Sequence, residues 1–134
     1  MDELVLDSLQ RRMRAMHSLY YQAVESMELE HVNHFDETAF QRIGNYEEFK
    51  AYRRSVFERT EAYLATLDPA DLTRVVIPHP FPPQIATTYS ARVAGPQGIT
   101  VLDGFECWLY QHGLRHMGEI ELARGLVGLG GMTS

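Results

Sequence analysis

Apolar residues recur every three or four positions from Leu6 to Met27: Leu6, Leu9, Met13, Met16, Tyr20, Val24 and Met27 draw one stripe. That period predicts one amphipathic helix from about Asp2 to Glu30, with Arg11, Arg12, Arg14, Glu25 and Glu28 largely off the stripe. At 1.5 Å per residue such a helix is about 40 Å long, which suits a helical bundle better than a compact mixed fold. A second helix is predicted from about Tyr46 to Leu67, introduced by Asn45 and Glu48 at capping-box spacing. Phe49, Tyr52, Val56, Tyr63 and Leu67 form its apolar side, weakened by Arg59-Thr60. Asp68-Pro69 ends it in a short turn reaching Leu72.

From Val76 to Ile99 the helical pattern stops, because Pro78, Pro80, Pro82, Pro83 and Pro96, with Gly95 and Gly98, exclude a continuous helix. Gln84 to Val93 has room for a short strand or hairpin, and an irregular stretch of this length in a small domain often covers a pocket. A last helix is predicted from about Val101, capped by Thr100 with Asp103, to residues 125–128, where a Gly-rich tail stops it. The pattern therefore predicts an all-α, up-down helical bundle, with residues 1–134 as a single domain and no internal repeat.

Charge narrows the partners. A net charge of −6, with twelve scattered basic residues, argues against a nucleic-acid surface, which needs clustered Lys and Arg. No apolar run approaches the roughly 20 residues of a membrane span. The acidic Met-Asp-Glu start does not read as a secretory signal, and the single cysteine, Cys107, excludes an intramolecular disulfide. The expectation is a cytoplasmic protein with neither nucleic acid nor membrane as partner.

Candidate chemistry concentrates in the last helix. His112 and His116 stand four apart, one helical turn, close enough to share a metal ion. Projected at about 100° per residue, Leu102, Phe105, Leu109, Ile120 and Ala123 fall in one sector, and His112, His116 and Glu119 fall with them. The pair is thus expected on the core-facing stripe, where burial disfavours the cation and leaves a nitrogen free to coordinate. Spacing alone favours structural histidines, each hydrogen-bonded to a neighbour, over a metal site. Gly113 stands where a zinc-protease motif needs its Glu, and two histidines are one short of the usual three-ligand catalytic site. Glu119 fits a ligand, an acceptor for an imidazole N–H, a general base or a plain surface residue. For a third ligand His17, His31, His34 and His79 are available, each with a surface or loop role as the simpler reading. Cys107 projects to the far side of the helix from His112 and is expected to be a small buried apolar residue. Gly104, Gly113, Gly118 and Gly125 each cost a helix about 1 kcal/mol relative to Ala, which suggests close approach of another group.

The segment Tyr110-Gln-His-Gly-Leu-Arg-His-Met-Gly-Glu-Ile-Glu-Leu-Ala-Arg-Gly-Leu-Val-Gly-Leu-Gly130 resembles the last helix of the DinB-like superfamily. His112, His116, Gly118 and Glu119 match its His-x-x-x-His-x-Gly-(Gln/Glu) pattern, and Arg124, Leu126 and Gly128 its Arg-x-Leu-x-Gly ending. Phe49 to Leu72 is similar to that family's third helix and turn, and the first helix also fits. The resemblance implies a four-helix bundle, often dimeric, with a divalent metal, zinc or nickel, held by two histidines of the last helix and one of the second. It implies thiol-dependent S-transferases or isomerases that use low-molecular-weight thiols as cofactors, although many members have no known reaction. Only ten residues, Phe35 to Gly44, separate His34 from Asn45, and none is a histidine. The family's second helix is therefore missing or shortened, its ligand has no counterpart, and the third ligand is not identified, with His34 one candidate. A segment lost at Phe35-Asp36 would separate those Cα atoms by more than the 3.8 Å of a trans peptide. The alternatives are a metal-binding stress-response protein without turnover, and a scaffold bundle whose apolar stripe drives dimerisation.

Overall fold

The computed structural model describes residues 1–25 and 45–131. The Phe35-Asp36 junction and His31, His34 and Met27 lie outside these residues. Three long helical segments dominate. Helix α1 is Asp2–Glu25 and α2 is Tyr46–Thr66. The third segment runs without interruption over residues 101–126, as α5 (Val101–Gly104), a π-helical stretch (Phe105–Gln111) and α6 (His112–Leu126).

Helix α1 is the centre of the core, and Leu6, Leu9, Met13, Met16 and Tyr20 are buried as its stripe predicts. Ala23 is buried as well, with Val24 half-buried beside it. Helix α2 runs antiparallel to α1, because Gln10 Nε2 donates to the Leu64 carbonyl (2.7 Å) while Tyr46 Oη donates to Val24 O (3.1 Å). The third segment runs parallel to α1. Arg12 pairs with Glu106, Tyr20 Oη donates to Gly113 O (2.6 Å), and Arg124 Nη1 donates to Ala23 O (2.7 Å). The described chain is thus up-down-up and mainly helical.

The face that α2 turns inward is not the one its apolar residues predict. Tyr52, Val56 and Tyr63 are exposed, whereas Tyr46, Leu64 and the half-buried Arg53, Phe57 and Glu61 face α1. Two polar residues lie there with partners: Glu61 Oε1 meets His17 Nδ1 at 2.6 Å, and Arg53 Nη1 donates to Tyr20 O at 3.2 Å, while Arg53 Nε and Nη2 are buried without a hydrogen bond among the described residues and Nη2 is 3.9 Å from Glu25. Burial lowers the Arg53 pKa, partly offset by Glu25.

The connection between α2 and the last segment is ordered locally. Asp68 caps a 3-10 turn, Pro69–Thr73, that drives Leu72 into the core. The strands are not in Gln84 to Val93. Instead β1 (Val75–Pro78) pairs antiparallel with β2 (Gly98–Thr100), with Ile77 opposite Ile99, so the β-branched residues flank the proline stretch rather than fill it. Gly98 at φ +135° closes this pairing, since a Cβ there would lie 2.2 Å from the Ile77 carbonyl oxygen. Between the strands, Pro83 opens a helical turn α3 (Pro83–Ala86) and Thr88 caps a second, α4 (Tyr89–Val93).

Both ends of the third segment follow the sequence. Thr100 and Asp103 form a complete capping box. At the other end Gly128 takes φ +80°, Gly128 N donates to Gly125 O and Leu129 N to Arg124 O, the paired bonds of a Schellman motif.

Candidate functional site

The π-helical stretch sets the geometry of everything after it. A π-turn closes on i+5 rather than i+4, so it inserts one residue into the helical register. A uniform wheel places 112, 116, 119 and 123 inward; in the structure the inward positions are Gly113, Met117, Ile120 and Arg124, each one residue later. Gly113 lies against α1, where an added Cβ would sit 2.5 Å from Met16 Sδ, and Met117 and Arg124 are buried. Leu109 is correspondingly exposed. The expectation that His112 and His116 lie on the buried stripe is therefore corrected: both are exposed, as is Glu119.

The same shift brings Cys107 onto the side of His112 rather than the far side, since residues five apart are neighbours in a π-turn. Both line a cleft of about 460 Å³ between this helix and residues 88–90 at the start of α4. Cys107 is buried, as its role as a small core residue requires, and burial, with Asp103 and Glu106 nearby, pushes its thiol pKa up. A protonated thiol is a wall of the cleft, not a nucleophile.

The two imidazoles converge. His112 Nε2 and His116 Nε2 are 2.8 Å apart, His116 Nδ1 is 2.6 Å from Glu119 Oε2, and Arg115 Nη2 is 3.2 Å from His112 Nδ1. Arginine only donates, so His112 Nδ1 accepts and its proton resides on Nε2. Nε2–H of His112 then donates to Nε2 of His116, and Nδ1–H of His116 donates to Glu119. One proton arrangement satisfies the whole chain with both rings neutral. Glu119 thus acts on His116 as carboxylates act on metal-bound histidines, fixing the tautomer and leaving Nε2 with its lone pair.

The donor set fits part of a metal site. Two ligand nitrogens in a tetrahedral zinc site lie about 3.3 Å apart for bonds of 2.0–2.1 Å, so the rings need to part by about half an ångström. Coordination through both Nε2 atoms also requires the His112 proton to leave Nε2, after which Nδ1 carries it and gives up the bond from Arg115. Among the described residues no group of three His, Cys, Asp or Glu is placed to hold an ion. His17 is committed elsewhere: it is buried, paired with Glu61 and stacked on Phe57 at 4.1 Å. Its expected surface role is thereby corrected to a core one. His79 is exposed and packs on Phe81.

Of the four glycines in the helix, Gly113 meets Met16 and Gly104 meets the Trp108 ring, whereas Gly118 and Gly125 have open space around them. Close approach therefore explains two of the four. Sequence reasoning missed the cleft, Trp108 and Ser90. Trp108 Nε1 donates to Ser90 Oγ at 3.0 Å, and Thr88 Oγ1 lies 2.9 Å from the same oxygen. No helix among the described residues is long and apolar enough to cross a membrane. Compared with known proteins, the chain matches no family model, no curated protein and no solved structure.

Proposed function

We propose that the protein is a DinB-like bundle protein that holds a divalent metal, zinc or nickel, between His112 and His116 and uses it for S-transfer from a low-molecular-weight thiol. The observation that carries this reading is the convergence of the two Nε2 atoms at 2.8 Å, with Glu119 bonded behind one ring. His112 and His116 would be ligands, and the third would come from outside the described residues, where His34 lies. A divalent ion with an open coordination position supplies stabilisation of thiolate over thiol near neutral pH. Glu119 holds the proton on His116 Nδ1 and, being exposed, can pass a proton to solvent. The cleft at His112 would seat the small-molecule substrate.

A cytoplasmic homodimer is part of the proposal. Tyr52, Tyr63, Leu122 and Leu126 are exposed apolar residues on α2 and α6 that a second copy would cover.

The second reading, a metal-binding protein without turnover, is favoured by the exposure of both imidazoles and by the two-donor set. The deciding experiment incubates zinc- or nickel-loaded protein with a panel of low-molecular-weight thiols and a fluorogenic electrophile. Metal-dependent conjugation lost in His116→Ala supports S-transfer. Tight metal binding without turnover selects the second reading, and neither binding nor turnover refutes both.

A further inference from the structure

The cleft beside His112 has a composition of its own. Among the described residues Arg115 is the one Lys or Arg on its wall, and no carboxylate lines it. No ion pair with Asp or Glu engages Arg115 among the described residues; its hydrogen-bond partner is His112 Nδ1 at 3.2 Å. Such a contact leaves a guanidinium's charge uncompensated and most of its five donors available. Gln111 adds an amide beside it. Facing them are the Tyr89 and Trp108 rings, both about half exposed (56% and 45%), which gives an aromatic wall open to a ligand. Ser90 is buried and fixes the indole through the 3.0 Å bond from Trp108 Nε1, so that wall is held in place. A volume of about 460 Å³ lies in the range of small-molecule sites.

We infer that this cleft binds a small monocarboxylate with an aromatic or similarly broad apolar body, its carboxylate on Arg115 and its body against Trp108 and Tyr89. One guanidinium matches one carboxylate in charge and in its two-pronged geometry, whereas a phosphate dianion would leave one charge unmatched by the Lys and Arg of the described wall. A molecule anchored in this way presents its other end along His112. For that orientation to serve chemistry the inference rests on the metal reading of the histidine pair; the binding itself does not.

Trp108 is the only tryptophan in the chain, so its fluorescence reports directly on the cleft. Metal-free protein is titrated with 3-phenylpropionate and with its neutral isostere 3-phenylpropanamide, and calorimetry checks the same affinities independently. The acid is expected to change the Trp108 emission saturably and to bind about ten- to a hundredfold more tightly than the amide, the range of a charge-assisted pair. Arg115→Gln, an exposed position, should fold normally and bring the acid down to the amide, while Arg115→Lys keeps part of the preference. His116→Ala should bind the acid as the unaltered protein does while losing zinc, which separates failure of the metal reading from failure of this one. Equal binding of acid and amide, a preference that survives Arg115→Gln, or no binding of the acid overturns the inference.

Discussion

Replacing Gly113 and Gly118 by alanine tests which face of α6 meets α1, and hence whether the π-helical stretch shifts the register. In an exposed helix interior alanine is favoured over glycine by about 0.8–1.0 kcal/mol. At Gly118 nothing lies within 4 Å of an added Cβ, so Gly118→Ala should gain close to that full amount. At Gly113 the same propensity gain meets Met16, whose Sδ and Cε would lie 2.5 and 2.9 Å from the new carbon. Met16 is itself buried, although its thioether is flexible, so the overpacking cost should be about 1–3 kcal/mol. Gly113→Ala should therefore range from neutral to destabilising by about 2 kcal/mol, a gap of about 1–3 kcal/mol between the two variants. Urea unfolding with unchanged slopes measures both. Met16→Ala combined with Gly113→Ala should recover most of the difference as a coupling energy. If both alanines stabilise equally, Gly113 faces solvent, and the one-residue shift that exposes His112 and His116 is wrong.

Three smaller perturbations follow. Tyr20→Phe removes the hydroxyl that donates to Gly113 O across the same interface and should cost about 1 kcal/mol in urea unfolding. Thr100→Ala breaks the capping box that starts the last segment, and a loss of about 1 kcal/mol, with β1–β2 intact by amide exchange, is expected. Burial raises the Cys107 pKa, so a thiol reagent should react slowly with folded protein at pH 8. The rate should keep climbing about tenfold per pH unit beyond the point where the urea-unfolded chain levels off. Fast labelling at pH 8 would mean that the thiol is neither buried nor held protonated.

The sequence made α1, the caps and the helix ends readable because each depends on neighbours within one or two turns. The stripe Leu6, Leu9, Met13, Met16, Tyr20 and the Thr100–Asp103 spacing are signals of that kind. The inner face of α2 is hidden from the sequence for a different reason. Arg53 and Glu61 look like solvent residues until His17 and the Tyr20 carbonyl are placed opposite them, and that partnership is tertiary. The register of α6 was hidden because the two candidate faces are both mixed. Leu109 and Ala123 support one, Met117 the other, and Ile120 fits either, while the residue that decides, Arg124, is a charged side chain buried with Ala23 O and Gly130 O accepting from it, a tertiary partnership. The proximity of His112 and His116 does not depend on that register, since four-residue spacing inside α6 is unaffected by where the helix points. The cleft is out of reach, because residues 88–90 reach Cys107 and Arg115 from within the long β1–β2 connection, a tertiary approach.

The central claim, that His112 and His116 share an ion through Nε2, is tested most directly by following the imidazole nitrogens in an NMR zinc titration. The account predicts that both Nε2 resonances shift together and saturate at one equivalent per site, while His116 keeps its proton on Nδ1 toward Glu119. A third histidine moving in step would identify the remaining ligand, with His34 first in line. Nitrogens that do not respond, or that respond equally in His116→Ala, would contradict the claim and leave the pair as a hydrogen-bonded surface feature.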